Sequence, residues 1–99
     1  MVFEIVWEYE IRPEKVAAFE ALYGPEGDWA CLFSRADGYV ETRLLRDTAR
    51  PMLYLTIDRW LSRTAHEAFA RAAGPAYAAL DRRGEALTVH ERRLGAFGG

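Results

Sequence analysis

Ninety-nine residues, 51% of them hydrophobic and 13% aromatic, suffice for one domain with a core of its own, expected to span 1–99. A net charge of −2, with no basic stripe interleaved with aromatics, excludes a nucleic-acid surface, and the single cysteine, Cys31, excludes an internal disulfide and a cysteine-built metal site. No apolar run approaches the length of a membrane span, and a glutamate at position 4 interrupts "MVFEIVWEYEI", so the expectation is a cytoplasmic protein with no membrane partner.

The first strand is predicted over 2–11, with Phe3, Ile5, Trp7, Tyr9 and Ile11 on one face and Val2, Glu4, Val6, Glu8 and Glu10 on the other. Pro13 suits the first position of a helix, in which Val16, Phe19, Leu22 and Tyr23 share a face before Gly24-Pro25 stops it. A second, short helix follows, with Asp28 as its cap, Trp29, Leu32 and Phe33 as its apolar side, and Gly38 as its end. Tyr39–Asp47 alternates as a second strand and Met52–Trp60 as a third, and the short link "TARP" predicts an antiparallel hairpin. After Ser62, His66, Phe69, Ala73, Tyr77 and Leu80 step by three or four along one helix face, which Gly74-Pro75 should kink or split. Gly84 ends that helix, Ala86–Leu94 is the last strand, and "GAFGG" is a tail.

The order β-α-α-β-β-α-β predicts a split βαβ, ferredoxin-like α+β fold: a four-stranded antiparallel sheet with its helices on one face. The face of Phe3, Ile5, Trp7 and Tyr9 is assigned to the helices, joined by Val40, Leu44, Leu53, Leu55, Ile57, Leu87 and Val89. The opposite face then holds Glu4, Glu8, Glu41, Arg43, Tyr54, Thr56, Asp58, Trp60, His90 and Arg92. Val6, Leu45, Tyr54 and Trp60 on that face argue for a partner, and so does the modest share of surface that so small a chain buries by itself. Charge is also uneven. Residues 1–30 carry seven acids against Arg12 and Lys15, whereas the remainder carries eight acids against eleven arginines, so the two parts can pair within the fold or across a dimer.

Trp60 at the end of the third strand, the alanine-rich helix after Ser62, "AYAALD" (Ala76–Asp81) and the closing "ALTVHERRLGAF" (Ala86–Phe97) resemble the antibiotic biosynthesis monooxygenase family over nearly the whole chain. The resemblance implies one domain of that family, pairing through its sheet into a dimeric α+β barrel. It implies a homodimer that acts on a small aromatic molecule, phenolic or quinone-like, as a cofactor-independent monooxygenase. A non-catalytic binding dimer of the same fold is the alternative. Heme-degrading relatives of that superfamily pair a first-strand asparagine with a tryptophan and a later histidine. Here the first strand offers Glu8 and Glu10, and His66 follows Trp60 too soon.

His66 and Tyr77 are the candidate catalytic residues. An imidazole titrates near neutral pH and can act as a general base toward a phenol, although a histidine at a helix edge also serves simply to bond a carbonyl or Asp58. Trp7, Tyr9, Trp29, Phe33 and Phe69 are the candidate substrate-binding wall, residues that equally suit a plain core. Arg43, Tyr54, Asp58 and Trp60 are assigned to the dimer interface, with His90 as an interface or surface histidine. No motif for a nucleotide, phosphate or metal is present, and no cofactor is expected.

Overall fold

The computed structural model describes residues 2–98. Strand β1 (Phe3–Ile11) leads through a 3-10 turn (Pro13–Lys15) into helix α1 (Val16–Tyr23) and the short α2 (Asp28–Phe33). The hairpin strands β2 (Tyr39–Arg46) and β3 (Leu53–Trp60) follow, then α3 (Arg63–Ala72), α4 (Gly74–Glu85) and β4 (Thr88–Gly98). The sheet order is β2-β3-β1-β4 with every neighbouring pair antiparallel, which is the ferredoxin-like α+β arrangement.

Local chemistry explains the element ends. Ser62 caps α3, its hydroxyl accepting from the Ala65 N–H at 3.1 Å. Gly74 takes a φ of 50°, a left-handed conformation that a side chain resists, and with Pro75 it splits the helical run into α3 and α4 as the spacing predicts. Asp28 is not the cap of α2. Gly27 holds that position, and the Asp28 carboxylate instead accepts from Arg83 on α4 at 2.6 Å. Gly84 lies inside α4 rather than ending it, and its place is set by packing, since a Cβ there would run into the Tyr23 hydroxyl. The tail reading of "GAFG" is also corrected. Ala96, Phe97 and Gly98 pair with Ile5, Glu4 and Phe3, since a central strand offers backbone partners that outweigh the poor strand propensity of glycine.

The face assignment of β1 stands, but that of β3 is inverted. Phe3, Ile5, Trp7 and Tyr9 lie opposite Trp60, Asp58, Thr56 and Tyr54, and directly opposed residues share a face. Tyr54 and Trp60 are therefore inside, 2% and 0% exposed, whereas Leu53, Leu55 and Ile57 look outward. The reason is packing. The core over this face is built from rings: Phe19 lies 5.1 Å from Tyr54, and Phe33 and Phe69 lie 5.7 and 5.3 Å from Trp60. Tyr54, Asp58 and Trp60 thus leave the outer face to which an interface role was assigned, and of that set only Arg43 remains on it. Thr56 likewise turns inward, 3% exposed. Val40 and Val89 sit beside register shifts in β2 and β4 and are exposed rather than core.

Candidate functional site

A cleft opens between the inner face of the sheet and helices α2 and α4. Its rings come from four elements: Trp7 and Tyr9 from β1, Tyr23 from the end of α1, Trp29 and Phe33 from α2, and Tyr77 from α4. Its polar groups are Thr42, Thr56, Asp58, Asp81 and Glu91. The space enclosed by the cleft is about 70 Å³, well under the usual volume of a small-molecule site. Most of the rings meet edge-on or tilted, and one pair stacks, arrangements that ring quadrupoles allow. Trp29 and Tyr77 are T-shaped at 5.0 Å, Tyr23 and Trp29 are tilted at 6.1 Å, and Trp7 and Tyr9 stack at 6.2 Å.

Asp58 is the chemically distinctive member. Strand alternation turns it inward beside Thr56, and it belongs to none of the ion pairs among the described residues. Burial raises its pKa to about 6, against a smaller opposing pull from the Thr42 hydroxyl, which donates to Oδ1 at 2.8 Å. Thr42 has one hydroxyl hydrogen. Once that is given to Asp58, its oxygen accepts from the Tyr39 hydroxyl at 2.7 Å, so a chain Tyr39–Thr42–Asp58 runs along the inner side of the hairpin.

The phenols around Asp58 are held protonated. Burial first, and the neighbouring Tyr23 second, push the Tyr9 phenol well above its ordinary range. Burial does the same to Tyr23, while Trp29 pulls the other way. The Tyr77 phenol is raised by burial and then by Asp81, Asp58 and Glu91, and burial followed by Asp81 raises Glu91. The cleft therefore combines hydroxyl donors with a carboxyl group poised near neutral pH.

Of the residues singled out from sequence, Trp7, Tyr9, Trp29, Phe33 and Tyr77 come together in this lining. His66 does not line it. Its ring sits 5.3 Å from Trp60 and 6.1 Å from Phe3, toward the far end of β1, where burial and then Arg93 lower its pKa. Phe69, on the buried side of α3, lines a separate groove with Leu32, Ala65 and Ala72. His90 is exposed on β4 opposite Glu10. Among the described residues no group of His, Cys, Asp and Glu assembles a metal site, and no helix is long and apolar enough to cross a membrane.

The family model for antibiotic biosynthesis monooxygenases matches residues 2–80. The chain belongs to this family. Solved structures agree on the fold of this antibiotic biosynthesis monooxygenase domain. A variant of SnoaB, a cofactor-independent oxygenase from Streptomyces nogalater, is 22% identical, with a TM-score of 0.81 over 99% of this chain and 92% of that one. A Bordetella bronchiseptica protein named for the same family is 18% identical, with a TM-score of 0.78 over 99% and 96%. A search of curated protein sequences returns no match.

Sequence reasoning missed Asp58, Thr42, Thr56, Tyr23, Asp81 and Glu91 as lining residues. A signal for Asp58 was present. An acid in a strand flanked by Tyr54, Thr56 and Trp60 at even spacing shares their face, and Trp60 and Tyr54 are large enough to claim the core.

Proposed function

We propose that this protein is a cofactor-independent monooxygenase of a small phenolic or quinone-like aromatic substrate, bound in the cleft between sheet and helices. The observation that carries the reading is Asp58, a carboxyl with no cationic partner, poised near pH 6 and surrounded by aromatic walls. Membership of the family and the oxygenase named among the fold neighbours support it. Asp58 takes the proton from an acidic O–H or benzylic C–H of the ring system. The resulting anion passes one electron to O2, and recombination of the radical pair forms a C–O bond. Loss of water from the hydroperoxide then leaves a carbonyl. One oxygen atom ends in the product and the other in water, and the substrate supplies all four electrons. Trp7, Tyr9, Trp29 and Tyr77 hold the ring system, and the protonated phenols supply hydrogen bonds to the developing oxyanion.

The protein works as a homodimer in this reading. The outer sheet face carries Val6, Leu55 and Ile57 beside the exposed Leu45, Leu94 and Phe97, an apolar surface suited to a second copy related by two-fold symmetry.

The test is oxygen uptake with a panel of anthrones and hydroquinones, followed by 18O2 labelling of any product. Turnover with one labelled atom in the product is expected, and Asp58→Asn should reduce it about a hundredfold or more. His66→Ala should keep most of it, since that ring stands outside the cleft. Saturable binding with no oxygen uptake by any member of the panel would leave only a binding module. A dead His66→Ala enzyme beside an active Asp58→Asn enzyme would hand the base role to the histidine.

A further inference from the structure

We propose that Thr42 positions Asp58 for proton transfer and that Tyr39 sets the direction of the Thr42 hydroxyl. Oδ1 of the carboxylate then belongs to the hairpin, and Oδ2 is the atom that takes the substrate's proton. The inference rests on the reading of Asp58 as the base and names the residues that prepare it.

The backbone is shaped for this contact. On β3, Asp58 and Trp60 are two residues apart and share the inner face. Their partners on β2, Thr42 and Tyr39, are three residues apart. In a regular strand that spacing puts two side chains on opposite faces. The register shift between Tyr39 and Glu41 takes in Val40 as an extra residue and brings both hydroxyls to the inner side. Tyr39 and Thr42 thus meet at 2.7 Å, and Thr42 reaches Oδ1 at 2.8 Å.

The direction of each hydrogen follows from what each group can give. A carboxylate only accepts, so the single Thr42 hydrogen goes to it. Burial raises the Tyr39 phenol against a smaller pull from Thr42, so Tyr39 stays protonated near neutral pH and gives its hydrogen to Thr42. The Thr42 hydroxyl is then held from both sides. Among the described residues no second side chain donates to the Asp58 carboxylate. The other groups in the lining do not share the task. Tyr9 of β1, Tyr23 of α1 and Tyr77 of α4 are protonated phenols, and α2 brings only Trp29 and Phe33. Asp81 of α4 and Glu91 of β4 are acids that cannot stabilise a second negative charge, and no lysine, arginine or histidine lines the cleft.

The test is a carbon-13 NMR titration of the Asp58 carboxyl in the full chain without substrate, its resonance identified by its loss in Asp58→Asn. A hydrogen bond to the charged form lowers a carboxyl pKa, so Thr42→Val should raise that of Asp58 by about one unit or more. Thr42→Ser keeps the hydroxyl and should titrate as the wild type does. Tyr39→Phe should raise the pKa by a smaller amount, about half a unit. Tyr39 is only partly buried, so this variant keeps the test decisive should Thr42→Val not fold. An unchanged carboxyl in Thr42→Val or in Tyr39→Phe overturns the proposal. So does a Thr42→Ser carboxyl that shifts as far as that of Thr42→Val, since shape and not the hydroxyl would then be responsible. With any substrate that turns over, the rising limb of kcat/KM against pH should move upward in step with the carboxyl. A limb that stays in place while the carboxyl moves removes Asp58 as the base, and this proposal with it. Absence of oxidation by itself leaves the titration result standing, because no substrate takes part in it.

Discussion

The two faces of the sheet are made by the same alternating strands, yet they are built from different matter. The inner face is ring-rich: Phe3, Tyr9, Tyr54 and Trp60 meet Phe19, Phe33 and Phe69 from the helices. The outer face is aliphatic and ionic. Val6, Leu55 and Ile57 run beside Arg59, which pairs with Glu4 at 3.0 Å and Glu41 at 2.5 Å, and beside Arg92, which pairs with Glu8 at 3.5 Å. Rigid rings that meet edge-on do not fill space to the last methyl group, and polar Thr42, Thr56 and Asp58 share that layer, so a cleft remains. The outer face carries a shallow groove of its own, lined by Glu8, Leu45, Leu53, Leu55 and Leu94. The two sides differ in residue type: rings with a few polar groups inside, aliphatics and ion pairs outside.

The sharpest way to break this comparison is Trp60→Ala. Trp60 is fully buried and touches Phe33, Tyr39, His66 and Phe69, so its removal should cost about 3–5 kcal/mol in urea unfolding. Phe97→Ala on the outer face, where the ring is 52% exposed, should change monomer stability by about 0.5 kcal/mol or less. Equal costs for the two would remove the distinction between core and face.

The topology was legible because it depends on periodicity and on punctuation by Gly, Pro and Ser62, both of which survive in a single sequence. The inner face of β1 was legible as well, since its other face carries Glu4, Glu8 and Glu10. In β3 both alternating sets contain apolar residues, and period two separates the sets without saying which is inside. Weighing Leu53, Leu55 and Ile57 by hydropathy put the aliphatics inward, but ring volume decided otherwise. That one parity error carried Asp58 to the wrong face. Trp7, Tyr9, Trp29 and Tyr77 come together in the lining because each lies on an element whose periodicity marks its inner face. His66 was drawn in by its place on the same helical stripe as Tyr77, but the break at Gly74 separates the two helices.

Asp58→Asn sharpens the comparison at the next level. The carboxyl titrates at 3.8 when free and at about 6 in the fold, so the native state keeps its proton where the unfolded chain has lost it. Stability therefore falls as pH rises from about 4 to about 6 and is level above that, by on the order of 3 kcal/mol in total. Tyr9, Tyr39 and Tyr77 face this charge and stay neutral throughout the window, all being raised, so they do not mask it. Unfolding of wild type and Asp58→Asn compared across pH 3 to 8 should show the variant gaining on the wild type through that window. A parallel pair of curves would mean that Asp58 is freely solvated.

The smallest effect on the fold itself is expected from Leu45→Ser, and its smallness is informative. Leu45 is 40% exposed on the outer face, opposite Leu55 of β3 and near Leu94 of β4. In the isolated chain the change should move the unfolding midpoint by about 0.5 kcal/mol or less. In a two-fold dimer the same substitution occurs twice at one interface. Burial of a leucine side chain stabilises by roughly 1.5 kcal/mol or more relative to exposure, so two losses weaken the pair by about 3 kcal/mol, or about a hundredfold in Kd. Sedimentation equilibrium over a range of concentrations measures that shift directly, and dilute urea unfolding measures the fold alone. A dissociation constant that does not change, with the fold equally unaffected, would mean that this face is plain solvent-facing sheet and that the two sides of the molecule differ in composition but not in what they bind.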